Sequence, residues 1–202
     1  MLETIPSRDT HRQVFRLAVI PDDLRDELQM DAQSNDELQE ILATVGYRTD
    51  LGELCDGPFR PKRRLRPRTR FSDGSFPVFY SSLDSATAEA EIRYWFPRVC
   101  GDPGVPRTGY YHRFSCTFRG TEKDLRSKAA EWPGLVDKTD YTFCNQLGAE
   151  ATKSGLAGLV TPAARNDGAN LPVFRRDAVS DPELLDIASV TFDPNTGETT
   201  VR

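Results

Sequence analysis

The chain of 202 residues carries 26 Lys and Arg against 31 Asp and Glu, a formal net charge of −5, so it has no overall attraction to a polyanion such as nucleic acid. An apolar fraction of 38% and a charged fraction of 28% are those of a globular chain of one domain, or one domain with an appendage. No apolar run approaches the ~20 residues of a membrane span, and the opening MLETIPSRDTHR lacks the charged-then-apolar order of a secretion signal, which makes the cytoplasm the expected compartment.

In chain order, Val14 to Ile20 predicts a strand stopped by Pro21. Arg16 interrupts its apolar run, either as an edge charge, the preferred reading, or as an arginine reaching into a cleft. Asp22 to Met30 predicts a polar helix. Ser34-Asn-Asp-Glu37 has capping-box spacing, and Leu38, Ile41, Leu42 and Val45 follow at helical intervals before Gly46. Arg60 to Arg70 (RPKRRLRPRTR) is a basic run that Pro61 and Pro67 keep extended. Clustered guanidiniums suit phosphate, but the run has no interleaved aromatics for stacking single strands. A solvated loop paired with the acidic remainder of the chain is the plainer reading.

The stretch from Arg70 to Glu91 (RFSDGSFPVFYSSLDSATAEAE) holds the candidate site. Asp73-Gly74 marks a turn, and Phe76 to Tyr80 predicts a strand. Asp84 or Ser85 opens a helix through Trp95 that Pro97 ends. Glu89, four residues before Arg93, is a surface pair. Glu91 shares a face with Ala88, Ile92 and Trp95, the face that points at the core. An inward carboxylate needs a cation or donors, and Arg70 and Tyr80 are the nearest candidates.

Further on, Tyr111 to Arg119 alternates as a half-buried strand with Phe114, Cys116 and Phe118 on one side and His112 in register with them. Asp124 to Glu131 predicts a short helix, and Asp140 to Gly155 a good one, capped by Asp140 and with Thr142 in the first turn, where free N–H groups favour anions. Short strands follow at Leu156–Thr161, Leu171–Phe174 and Ile187–Phe192, with a hairpin turn at Pro194 to Gly197. The four cysteines, Cys55, Cys100, Cys116 and Cys144, form no C-x-x-C pair, and His11 and His112 stand far apart. Reduced thiols and no metal site are expected. Strands and helices interleave without the alternation of a doubly wound sheet, which predicts a mixed α+β domain.

Arg70-Phe71, Tyr80 at the end of a V-x-Y strand, Thr87-Ala-x-Ala-Glu91, Gly155 to Pro162, and Asn170-Leu-Pro-Val-Phe174 together resemble the RES-domain family, named for an arginine, a glutamate and a serine. The likeness spans about Arg70 to Phe174, and Arg16 is a candidate for an early family arginine. In two places the chain departs from the pattern: Thr142 stands where the serine aligns, and Ala163 replaces the serine of a Pro-Ser-Ala-Arg loop. The resemblance implies a bacterial toxin of a toxin–antitoxin pair that consumes NAD and needs no metal. It also implies a mostly antiparallel α+β core similar to ADP-ribosylating toxins, and a cognate antitoxin that covers the pocket. It implies an N-terminal appendage, residues 1–56, packed on a catalytic domain of residues 57–202. Glu91, Arg70, Tyr80 and Thr142 become the catalytic candidates, and Arg16, Arg70, Tyr80 and Thr142 the NAD-binding ones. Under this reading Glu91 stabilises positive charge on the ribose, Arg70 with Arg16 holds the pyrophosphate, Tyr80 stacks on nicotinamide or orients Glu91, and Thr142 holds a ribose hydroxyl or phosphate. Two alternatives stay open: transfer of ADP-ribose to a protein acceptor, and a non-enzymatic module that binds nucleotide or nucleic acid through residues 60–70.

Overall fold

The computed structural model describes residues 1–20, 50–60, 68–101 and 104–202. The helices expected between Asp22 and Gly46, and the middle of the basic run, lie outside the described residues. Seven strands among the described residues form one sheet: β1 (Ser7–Val19), β2 (Phe79–Ser82), β3 (Arg107–Asp124), β4 (Gly158–Pro162), β5 (Ala169–Val173), β6 (Val179–Asp193) and β7 (Glu198–Val201). Their order is β1-β2-β5-β4-β3-β6-β7, and β1 also pairs with β3. The first five in that order therefore close into a ring, with β6 and β7 continuing from β3. Only β3 and β4 run parallel; the other pairs are antiparallel. Among the described residues three α-helices pack on the sheet, α1 (Leu51–Asp56), α2 (Ser85–Cys100) and α3 (Thr142–Lys153), giving the mixed α+β architecture that the sequence predicts.

β3 is the hub because both of its edges are paired for most of its length. β1 runs beside it from Ser7↔Lys123 to Val19↔Tyr111, and β6 covers the other edge from Phe118↔Val179 to Arg107↔Phe192. This pairing extends β3 well beyond Tyr111–Arg119. β1 sits between β2 and β3, so residues 7–19 belong to the sheet itself. The core has two main parts. Val14, Phe79, Phe114, Cys116, Phe118, Leu171 and Val173 pack together with Cys55 of α1. Phe71, Leu125, Leu135, Cys144, Leu147 and Leu159 gather under α3.

Local chemistry sets the element ends. Asp84 caps α2, accepting from the Thr87 amide at 2.7 Å. The helix was expected to stop at Pro97 but runs on to Cys100. A proline costs one backbone bond, while Phe96 is held against Tyr111 with ring centroids 6.2 Å apart. The stop comes at Gly101, whose φ is 67°. β2 begins three residues later than the expected Phe76 because its partner β5 first meets it at Phe79↔Val173. Where Asp124 to Glu131 was read as a helix, Asp124 ends β3, a single turn Arg126–Lys128 follows, and the Asp124 carboxylate accepts from the Arg126 amide at 3.1 Å. Asp140, expected to cap α3, instead stands one residue before its N-cap Tyr141, which has no side-chain cap, and the Asp140 carboxylate accepts from the Thr142 amide at 2.8 Å.

Candidate functional site

β1 and β2 share one residue pair, Phe15↔Ser82. Past it, the Arg16 guanidinium lies between the two strands, its Nη1 donating to the Tyr80 carbonyl over a long 3.4 Å. Helix α2 covers the gap. The result is a cavity of about 150 Å3 lined by Phe15, Arg16, Leu17, Tyr80, Ser82, Ala88, Glu91, Ile92 and Trp95. Ala88, Glu91, Ile92 and Trp95 are the face of α2 that its periodicity picks out. Arg16, Tyr80 and Glu91 thus come together from three elements, and the edge-charge reading of Arg16 is corrected to the cleft reading.

Glu91 is buried. Its Oε1 accepts from Asn170 Nδ2 at 2.8 Å. The same Asn170 nitrogen donates to the Tyr80 hydroxyl at 3.0 Å, and Asn170 Oδ1 accepts from Ser82 Oγ at 2.8 Å. Burial, and then the charge of Glu91, push the Tyr80 phenol well above its usual pKa, so it stays a neutral hydrogen-bond donor. Arg16 stands against the Phe79 ring, its Cζ 4.7 Å from the centroid. It has no carboxylate partner among the described residues. Burial lowers its pKa to about 10, which leaves it cationic at neutral pH. One cavity therefore offers a carboxylate, a guanidinium, a phenol and an indole.

The depth of Glu91 is set from the far end of α2. Thr87 in the first turn is fully buried, and its Oγ1 donates to Asp84 at 2.8 Å and accepts from Asn166 Nδ2 at 3.2 Å. Gly168 lies so close that a Cβ there would stand 1.9 Å from Thr87 Oγ1. The loop between β4 and β5 therefore grips the helix.

Two candidates fall elsewhere. Arg70 is buried, but its guanidinium is spent on the chain: Nη1 donates to the Leu135 carbonyl at 2.8 Å and Nη2 to that of Asp137 at 2.6 Å. Its flat face lies 5.1 Å from the Tyr141 centroid. It does not line the cavity. Thr142 is exposed at the start of α3, and the amide that was to meet an anion already meets Asp140. Ala163 is buried beside the gripping loop.

The described ends of the basic run are likewise engaged by the protein. Arg60 pairs with Glu53, and Arg68 Nε donates to Asn145 Oδ1 at 3.0 Å. Asn145 in turn donates to the Thr69 and Arg70 carbonyls at 2.8 and 2.7 Å. Residues 61–67 lie outside the described residues.

Sequence reasoning missed Asn170. Its segment was noted, but a buried amide in a strand is visible only once β5 is laid beside β2 in the register Ser82↔Asn170.

A family model described as the RES domain matches residues 46–193. A search of curated proteins finds no match. Among solved structures, the chain is similar to the crystal structure of the M. tuberculosis MbcT-MbcA toxin-antitoxin complex, with a TM-score of 0.51 and 16% identity. The alignment covers 89% of this chain and 87% of that chain. At that identity the likeness concerns the fold.

Proposed function

The chain belongs to the RES-domain family, and from that premise we propose that it is the toxin of a toxin–antitoxin pair and that it cleaves the nicotinamide–ribose bond of NAD. The observation that carries the chemistry is the buried carboxylate of Glu91 facing the same small cavity as the Arg16 guanidinium. Support for an antitoxin partner comes from the structural neighbour, which is a toxin-antitoxin complex.

Breaking this bond sends its electron pair to the cationic nicotinamide nitrogen, which leaves neutral without needing a proton. The barrier is the positive charge that grows on the ribose, as in other glycosidic cleavages. A fixed carboxylate in a water-poor site stabilises that charge strongly because it is already oriented. Glu91 has this character: helix α2 places it, Asn170 holds one oxygen, and burial excludes bulk water. Arg16 suits the negative pyrophosphate, since no carboxylate among the described residues neutralises it. The cavity is smaller than the ~300–1,000 Å3 of sites that enclose a whole drug-sized ligand, so it suits one ring of the dinucleotide, walled by Tyr80 and Trp95. Water attacking the sugar cation forms the new C–O bond and gives up its proton, for which Glu91 is the nearest acceptor.

The test is release of free nicotinamide from NAD by the purified protein. The expected result is release that falls at least ~100-fold in Glu91→Gln, in line with the loss of one preorganised transition-state group. Absence of release by the parent, or undiminished release by the variant, overturns the reading. NAD labelled in the adenylate half decides the acceptor: label on a protein means transfer, and free ADP-ribose means hydrolysis.

A further inference from the structure

We propose that Asn170 is a positioning residue that fixes which oxygen of Glu91, and which side of the Tyr80 hydroxyl, face the cavity. Asn170 is fully buried in β5 and does not line the cavity. It reaches both groups from behind the wall through a single nitrogen, at 2.8 Å to Glu91 Oε1 and 3.0 Å to the Tyr80 hydroxyl.

The amide can take only one orientation. Turned over, its oxygen would meet a carboxylate, and the Ser82 hydroxyl that now donates to Oδ1 at 2.8 Å would face an NH2 group. As it stands, both amide hydrogens and the carbonyl oxygen are satisfied, and a fully satisfied buried network is rigid. Two consequences follow for the cavity. Glu91 Oε2 has no hydrogen bond among the described residues, so the oxygen left over is the one available to a ligand. The Tyr80 oxygen accepts from Asn170, and no acceptor among the described residues takes the Tyr80 proton, so that proton is also available. One amide thereby sets an acceptor and a donor side by side, on β2 and α2, at a spacing that neither element fixes alone.

The isosteric Asn170→Asp change tests this. It places a second carboxyl group at the 2.8 Å contact. Two carboxyl groups this close share a proton, which is then held to higher pH than either group would hold it alone. The charged and titratable groups around the pair are Arg16 from β1, Tyr80 from β2, and Arg70, Tyr141 and Cys144 beyond Tyr80. They are the same in parent and variant.

There are two readouts, and only the first rests on the NAD reading. The acid-side midpoint of nicotinamide release is expected to move up by at least one pH unit in Asn170→Asp, with kcat more affected than KM. Trp95, which lines the cavity with Glu91, reports the same proton through its fluorescence in a Trp132→Phe background, and its midpoint is expected to move up likewise. If the parent releases no nicotinamide but the fluorescence midpoint moves, the NAD reading fails and the positioning role stands. If Asn170→Asp is folded by circular dichroism and neither midpoint moves, the positioning role is overturned. Asn170→Ala, which leaves three polar groups without their partner, is expected to lose nicotinamide release at least ~100-fold or to lose the fold, and full activity in a folded Asn170→Ala overturns the proposal independently.

Discussion

The two buried arginines show what a side chain's neighbours in sequence conceal. Arg16 interrupts an apolar stretch and Arg70 closes a basic run, and neither context says which of them enters the cleft. What separates them is long-range: the carbonyls that receive Arg70 belong to residues 65 and 67 positions away, whereas among the described residues Arg16 has a long bond to the Tyr80 carbonyl and stands against the Phe79 ring. Glu91 was legible because its three companions on the α2 face are local and periodic. Asn170 was not, because its meaning comes from a strand 88 residues before it. The two arginines should therefore fail differently. Arg70→Lys keeps the charge but loses the fork that spans two carbonyls, and it is expected to cost about 2 kcal/mol of stability, the worth of charged hydrogen bonds. Urea denaturation checks this, with nicotinamide release per folded molecule staying within a few-fold of the parent. Arg16→Gln is expected to leave the thermal midpoint in place and raise the KM for NAD at least ~10-fold, the equivalent of about 1.4 kcal/mol of lost binding. Because the Arg16 pKa is lowered to about 10 by burial, the KM of the parent should climb as pH rises through that value, while that of Arg16→Gln should not.

At the scale of elements, the starts of helices were readable and their packing depth was not. Asp84 announces α2 because capping is a local bargain between a carboxylate and the next free amides, and Asp140 announces α3 from one residue before its cap. Pro97 misled because the end of α2 is decided by Phe96 against β3, a contact that local propensity does not contain. Depth depends on close approaches at glycines. A Cβ on Gly168 would come within 1.9 Å of Thr87 Oγ1, and one on Gly148 within 2.0 Å of the Phe71 carbonyl oxygen. Both Gly→Ala changes overpack, at a typical cost of ~1–3 kcal/mol, but they move different helices. Gly168→Ala pushes on α2 and with it Glu91, so nicotinamide release should fall more than the stability loss explains. Gly148→Ala pushes α3 off the Arg70 segment, and α3 contributes nothing to the cavity lining. Its activity per folded molecule should survive. Measuring denaturation midpoints and single-turnover rates for the two variants side by side separates these effects, and equal losses of activity would contradict the assignment of the site to α2.

For the whole molecule, the closed ring of β1-β2-β5-β4-β3 ties the N-terminal strand to the last third of the chain. The sequence predicted the class of fold but not this closure, since ring pairing is a property of register between distant strands. β3 carries the ring, and two of its buried polar groups make stability depend on it. Glu122 is fully buried and accepts from Arg8 at 3.0 Å and Arg12 at 2.7 Å, both on β1. His112 is buried where β3 faces Ala18 of β1 and Ile187 of β6, and that burial holds its imidazole below the usual pKa. As pH falls, the unfolded chain takes up this proton before the folded one does. The stabilisation is therefore complete above the unfolded value of about 6.5 and drains away as pH drops through it toward the depressed folded value. The slope from one such group is at most about 1.4 kcal/mol per pH unit. The urea midpoint of the parent should fall between pH 7.5 and pH 5.5, a window above the range in which ordinary carboxylates titrate. In His112→Gln, which keeps a polar side chain but cannot titrate, that fall should shrink. An equal pH dependence in parent and variant would place the sensitive group elsewhere, and would remove His112 from the account of what holds β1 and β6 to the central strand.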